Sequence, residues 1–274
     1  MRTRLWKAVA LSGLAATLTL SSARALDCGK GSEGFDQWLT EFRRVAALNG
    51  ISQGAIDSAL SGLAYDASVK SHDHGVASFG HNFSGFAASH ITAGRLARGK
   101  AMLGRYAVPL KTIEARFGVP GPVLVAIWGL ETDYGAGNGT FPTYRALATL
   151  AWDCRRPERF RAELIDALML VDRGIVPNPK QLRGAWAGEI GQTQLMPSAV
   201  LMFATTPDGA GTPDIIHDSA DALASTANFL KSHGWQAGQG WGEGEPNFSA
   251  ILQWNSAPIY AKTVALFADK LAGR

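Results

Sequence analysis

Residues 120–135 read Pro-Gly-Pro-Val-Leu-Val-Ala-Ile-Trp-Gly-Leu-Glu-Thr-Asp-Tyr-Gly. From Val123 to Leu130 every residue is apolar or small, a run that is at ease only when buried on all sides. Pro120, Gly121 and Pro122 mark its start, because proline fits the first turn of a helix. Gly135, Gly137 and Gly139 mark its end. The expected element is a core helix of about four turns with Glu131 in its last half. Burial raises the pKa of a carboxyl group, and the negative end of the helix dipole pushes the same way. A carboxylic acid kept protonated near neutral pH is the chemistry of a general acid. The same residues also accommodate a Glu that ends a buried helix by turning out to solvent.

The chain opens on Met1-Arg2-Thr3-Arg4-Leu5-Trp6-Lys7, then an apolar stretch from Ala8 to Leu20, then the small-x-small triplet Ala23-Arg24-Ala25. The stretch is too short for a permanent membrane span, and the pattern predicts a cleaved signal peptide over residues 1–25. Asp27 directly before Cys28 does not suit a lipidation box. The mature chain is therefore expected to be soluble, not lipidated, and periplasmic. Residues 1–25 hold Arg2, Arg4, Lys7 and Arg24 and no acid, so the formal charge of +3 becomes −1 on their removal. That balance implies no nucleic-acid partner. Cys28 and Cys154 are expected to pair in an oxidising compartment, the alternative being two free thiols. No Cys/His spacing indicates a metal, and no cofactor motif is present. His72, His74, His81 and His90 follow no ligand spacing and read as solvated loop residues.

The pattern along the chain is mainly α, with little β. Helices are expected over 35–48, from a Ser52 cap to Leu60, from a Thr92 cap to about Phe117, and over 122–134, 143–152, 157–172, 198–204, 219–233, 247–254 and 257–272. Residues 66–90, with Phe79, Phe83 and Phe86, read as irregular, and a short hairpin is expected near 205–216. Residues 26–274 fit one large domain, or one with a small inserted lobe around 139–216.

A second unusual segment is Gly184-Ala185-Trp186-Ala187-Gly188-Glu189-Ile190-Gly191-Gln192-Thr193-Gln194-Leu195-Met196-Pro197-Ser198. Its glycines permit close backbone approach to a ligand. The Gln192 and Gln194 amides both donate and accept, as sugar hydroxyls and acetamido groups require, and Trp186 offers a flat face to a pyranose ring. A turn-rich connector is the plainer alternative. Asn255, after Trp254, either caps a helix break before Pro258 or hydrogen-bonds a sugar.

With ETDYG, GAWAGEIGQTQLMPS and QWN in this order and spacing, the chain resembles the periplasmic lytic murein transglycosylases of the membrane-bound transglycosylase B type, glycoside hydrolase family 103. The likeness extends to FDQWLTEFRR, RALATLAWDCRRPERFRAEL and DALASTANFLKSHGW, and so runs from about Cys28 to the C-terminus. The resemblance implies a lysozyme-like transglycosylase domain with a deep groove for glycan strands. It implies non-hydrolytic cleavage of the β-1,4 bond between N-acetylmuramic acid and N-acetylglucosamine, leaving a 1,6-anhydromuramoyl end. Glu131 falls on the family's single acid/base, Gln194 on a groove residue near it, and Asn255 on the Asn of a Tyr-Asn pair. Arg155 and Arg156 match a basic pair that meets muramoyl lactyl or peptide carboxylates, the plainer alternative being a solvated pair at a helix start.

Several positions depart from the family pattern. Trp254, Phe86 and Phe229 stand where Tyr is common, and Ala185 where Ser is. Residues 204–214 correspond to a calcium loop in some relatives, but Thr206 and Ala210 interrupt the oxygen ligands, so no tight calcium site is expected. The implied partner is the peptidoglycan strand, bound by a monomer, with cell-wall synthesis or secretion machinery as conceivable associates. Two other readings stand beside this one. A hydrolytic muramidase would use Glu189 to activate water, and a peptidoglycan-binding protein would have no turnover.

Overall fold

The computed structural model describes residues 27–75 and 82–274; the signal segment, Phe79 and His81 lie outside the described residues. In chain order the helices are α1 (Phe35–Leu48), α2 (Gln53–Leu60), α3 (Ala67–His74), α4 (Phe83–His90), α5 (Ala93–Arg105), α6 (Ala107–Phe117) and α7 (Gly121–Thr132). They continue with α8 (Thr143–Trp152), α9 (Pro157–Asp172), α10 (Pro197–Phe203), α11 (Ser219–Ser232), α12 (Phe248–Trp254) and α13 (Pro258–Ala272). Strands β1 (Phe141–Pro142) and β2 (Arg183–Gly184) pair antiparallel. The class is mainly α, as the periodicity predicts.

Side-chain caps fix several starts. Ser52 Oγ accepts from the Ala55 N–H and Thr92 Oγ1 from the Arg95 N–H, each satisfying an orphan donor of the first turn. Within the described part of 66–90 the irregular reading gives way to two short helices, capped by Asp66 and Asn82. His72, His74 and His90 accordingly lie on helices rather than in a loop. The single helix expected from Thr92 to Phe117 breaks at Tyr106. Pro109, in the first turn of α6, cannot donate to Arg105 and would clash with its carbonyl. No strand forms at 205–216. That segment is held instead by the Arg116 guanidinium, which donates to the carbonyl of Thr206 at 2.9 Å. Nor do the glycines stop α7: the chain turns left-handed already at Asp133 (φ 52°) and Tyr134 (φ 66°), before Gly135.

Two buried clusters form the interior. One joins Phe35, Trp38 and Phe42 of α1 to Leu147 and Leu150 of α8 and Leu164 and Leu168 of α9. The other surrounds α7, from Val123 to Trp128, with Leu223 and Leu230 of α11 and Val264 and Phe267 of α13. Phe229 and Trp254 pack against both clusters, so the seam between them runs past the end of α7. Cys28 and Cys154, just before α9, form a disulfide (S–S 2.07 Å). The adjoining segment is tied down by Trp152 Nε1, which donates to the Gly31 carbonyl at 2.7 Å. Among the described residues no single helix is long and apolar enough to cross a membrane.

Leu124 has no exposed surface and belongs to the apolar cluster around α7. Leu124→Ala is expected to destabilise the fold by about 2–5 kcal/mol, read as a lower urea midpoint at unchanged slope. A loss below about 1 kcal/mol would mean that α7 does not form the dry centre of its cluster.

Candidate active site

The residues after Glu131 act as brackets. Thr132 Oγ1 donates to the Gln192 carbonyl at 2.5 Å and accepts from the Gly135 N–H at 2.9 Å, fastening α7 to the second motif. Asp133 is held by Arg95 (3.2 Å) and Arg98 (2.6 Å) of α5, and these guanidinium groups keep its carboxyl below the usual range, Arg98 foremost. The Tyr134 hydroxyl donates to the Arg95 carbonyl at 2.7 Å. Its ring fills the space beside Gly129, where a Cβ would meet the phenol oxygen at 2.7 Å. Thr132, Asp133 and Tyr134 thus set the angle at which α7 presents Glu131.

Glu131 is partly buried and opens onto a cavity of about 590 Å³. Trp254 Nε1 donates to its Oε1 at 3.0 Å and the Tyr260 hydroxyl donates to the same oxygen at 2.5 Å. Oε2 has no partner among the described residues. Burial pushes the carboxyl up to about 7, against the two donors and with a further push from Glu189. The Tyr260 phenol is raised well above its ordinary value by burial and by the neighbouring Glu131. An oxygen that accepts twice is the carbonyl-like one. The proton, when present, therefore sits on Oε2, the atom free to meet a ligand.

The cavity lies in the seam between the two clusters, with α7, α9, α10, α11, α12 and the second motif in its walls. Of the predicted residues it gathers Glu131, Glu189, Gln194, Phe229, Trp254 and Asn255. Gln194 takes a left-handed backbone (φ 56°); its Nε2 donates to the carbonyls of Gly191 at 2.7 Å and Asn138 at 3.3 Å, and its side-chain oxygen has no partner among the described residues. Asn255 caps the end of α12, and its Oδ1 accepts from the Ala257 N–H at 3.0 Å. Burial raises the Glu189 carboxyl, against backbone N–H groups of Glu189 and Ala187 and the charge of Arg159. Its Oε2 is buried and unpaired among the described residues. Phe229 stands edge-on to Trp254, with centroids 5.1 Å apart, and lies flat on His233 at 4.0 Å.

The other predicted site residues do not line the cavity. Gln192 is buried; its side chain accepts from Ser219 Oγ at 2.9 Å and donates to the Ile216 carbonyl at 3.3 Å, a connecting role. Trp186 lies parallel to His72, with centroids 6.1 Å apart. Phe86 is buried and stacked on His90 at 3.9 Å. Arg155 and Arg156 both reach Asp73 Oδ1 on α3, Arg155 at 2.6 Å. Asp73 is 1% exposed, and a carboxylate so deeply buried needs paired charge. The close approach allowed by Gly184 is internal as well: a Cβ there would meet the Glu189 carbonyl at 1.9 Å. Sequence reasoning missed Tyr260, Arg159, Glu163 and His233. For Tyr260 the available signal was Pro258, which starts a helix just after Trp254.

A family model described as the transglycosylase SLT domain matches residues 34–244. Membrane-bound lytic murein transglycosylase B of Escherichia coli (strain K12) is 35% identical over 149 residues, which are 54% of this chain and 41% of that protein, so the match spans less than half the relative's length. SltB3 of Pseudomonas aeruginosa, solved in complex with NAG-NAM-pentapeptide, has a TM-score of 0.83 at 32% identity, covering 88% of this chain and 80% of that one. SltB1 of the same organism has a TM-score of 0.79 at 25% identity, covering 86% and 98%.

The raised Glu131 has a thermodynamic signature. Its carboxyl titrates at about 7 in the folded chain against an ordinary 4.5, so the folded state holds an extra proton between those values. Stability is therefore lost as pH rises through that window. Glu131→Gln removes the titration, so the variant's stability advantage over wild type should grow by roughly 3 kcal/mol between pH 4 and pH 8. Denaturant melts at several pH values read this directly, and a flat difference would show that Glu131 is not held protonated.

Proposed function

The chain belongs to the transglycosylase SLT domain family, and from that membership we propose that it cleaves the β-1,4 bond between N-acetylmuramic acid and N-acetylglucosamine in peptidoglycan, leaving 1,6-anhydromuramoyl ends. The observation that carries the reading is one carboxyl, Glu131, raised to about 7 with one oxygen open to the cavity, while the other carboxylates near it are bonded within the fold. A two-carboxylate glycosidase needs an acid and an ionised base or nucleophile. Asp133 is ionised but tied to Arg95 and Arg98. Glu189 reaches the cavity wall with its Oε2 buried, and Glu163 is bonded through both oxygens to Ser198.

In the proposed sequence, Glu131 Oε2 gives its proton to the leaving glycosidic oxygen. The substrate's own 2-acetamido oxygen stabilises the anomeric carbon in place of the missing carboxylate. Glu131, now ionised and held by Trp254 and Tyr260, takes the proton of the C6 hydroxyl as that oxygen closes the anhydro ring. The two donors on Oε1 stabilise the carboxylate between the steps, and Trp254 keeps the ring wall where Tyr is common in the family. Gln194 and Asn255 offer an acceptor and a donor to the sugar, and Phe229 an apolar face. The enzyme acts as a monomer in the periplasm, exported by residues 1–25.

Mass spectrometry of purified peptidoglycan treated with the mature protein tests the chemistry. Products lighter by one water than hydrolysed muropeptides support the intramolecular step. Reducing muramoyl ends would make the protein a muramidase and Glu189 its base, and sacculus binding without release would leave a non-catalytic binder. Glu131→Gln should abolish turnover while retaining glycan binding. In wild type, kcat/KM should fall about tenfold per pH unit above about 7. Tyr260→Phe removes a donor that favours the ionised form, so this alkaline limb should move to higher pH; an unmoved limb would detach Tyr260 from the titration of Glu131.

A further inference from the structure

The walls of the cavity carry three glutamates and, among the described residues, one Arg or Lys side chain, Arg159. Glu163 is already engaged: its two oxygens accept from the N–H and hydroxyl of Ser198, at 3.0 and 2.8 Å, at the start of α10. Arg159 is exposed and has no hydrogen bond or ion pair among the described residues. Its one ring neighbour is Phe160, whose centroid lies 5.6 Å from the guanidinium carbon. One turn earlier, Arg155 and Arg156 are drawn away onto Asp73. The helix start thus presents four guanidinium groups: Arg155 and Arg156 are spent on a buried carboxylate, Arg161 on Glu158 and the carbonyls of Ala151 and Asp27, and Arg159 stands at the cavity with no hydrogen bond or ion pair among the described residues, its charge felt at Glu189. A guanidinium is a planar fork of donors whose natural complement is a carboxylate, bound bidentately.

We propose that Arg159 binds a carboxylate on the muramoyl substituent of the glycan and makes the protein selective for acid-bearing strands. The proposal rests on the transglycosylase reading above. The carboxylate has two possible sources, the terminal acid of a peptide stem or the lactyl acid of a strand stripped of its stem. Arg159 is a specificity residue: it anchors the substituent and takes no part in the proton transfers of Glu131.

The test uses wild type, Arg159→Gln and Arg159→Lys on three defined N-acetylglucosamine/N-acetylmuramic acid tetrasaccharides. One bears stems with free carboxylates, one bears the same stems as carboxamides, and one has no stems and free lactyl acids. Loss of a charge-assisted pair should raise KM tenfold or more for Arg159→Gln on the acid-bearing ligand, with kcat within about twofold. Wild type on the carboxamide should behave like the variant, and Arg159→Lys should recover part of the loss. A loss confined to stem-bearing strands assigns the stem acid, and a loss on stripped strands assigns the lactyl acid. Equal losses on acid and carboxamide ligands, or no loss at all, would overturn the proposal. Binding of the three ligands to Glu131→Gln and to the Glu131→Gln/Arg159→Gln double variant reads the contact without turnover. A wild type inactive on all three would therefore sink the functional reading, while the affinity ratio would still decide for or against Arg159.

Discussion

A carboxyl group placed at the end of a wholly apolar helix is the constraint on which the rest of this structure depends. Water is largely excluded from Glu131 by burial, and the group responds by holding its proton to about pH 7. Two donors, Trp254 and Tyr260, converge on one oxygen and leave the other to the cavity. The competition between them is informative. Desolvation dominates and keeps the acid loaded, while the hydrogen bonds limit the cost of its ionised form. A group poised in this way is able to give a proton and later take one at nearly the same pH, which is the demand made by the proposed single-residue mechanism.

The surroundings serve that poise. The helix bearing Glu131 is locked at its end by an ion pair to α5, a tyrosine wedged against a glycine, and a threonine bonded to the second motif. None of these residues needs to touch a ligand, yet each fixes the direction of the carboxyl. The cavity itself arises because two apolar clusters meet without merging, and Phe229 and Trp254 belong to the edge of both. A seam of this kind offers apolar walls for sugar rings and polar side chains at its floor.

The start of α9 shows how a local reading of charge goes astray. Arg155, Arg156 and Arg159 look alike in the sequence, a basic cluster at the head of an amphipathic helix. Their fates are set by α3, which lies more than eighty residues earlier in the chain and carries the buried Asp73 that captures two of them. Phe86 and Trp186 followed the same logic. Each is an aromatic of the type that stacks on sugars, but a histidine stacks on each instead, and neither lines the cavity.

The sequence by itself determined the helical class, most helix boundaries and the burial of the helix that carries Glu131, because these follow from local causes. Apolar periodicity, a capping side chain or a proline acts within a few residues of its effect. It also made Trp254, Asn255, Gln194 and Glu189 legible as candidates, through motifs compact enough to read in one window. It placed Tyr260 near the start of a helix but not its bond to Glu131, which spans 129 positions, and it was silent on Arg159, whose exposure at the cavity is visible only once its neighbours are seen to be bound. The break at Tyr106 lay within reach, because Pro109 states it. Which polar groups find partners inside the fold, and which are left to face a ligand, was decided only by tertiary structure, since hydrogen bonds and ion pairs are satisfied across space without regard to distance along the chain.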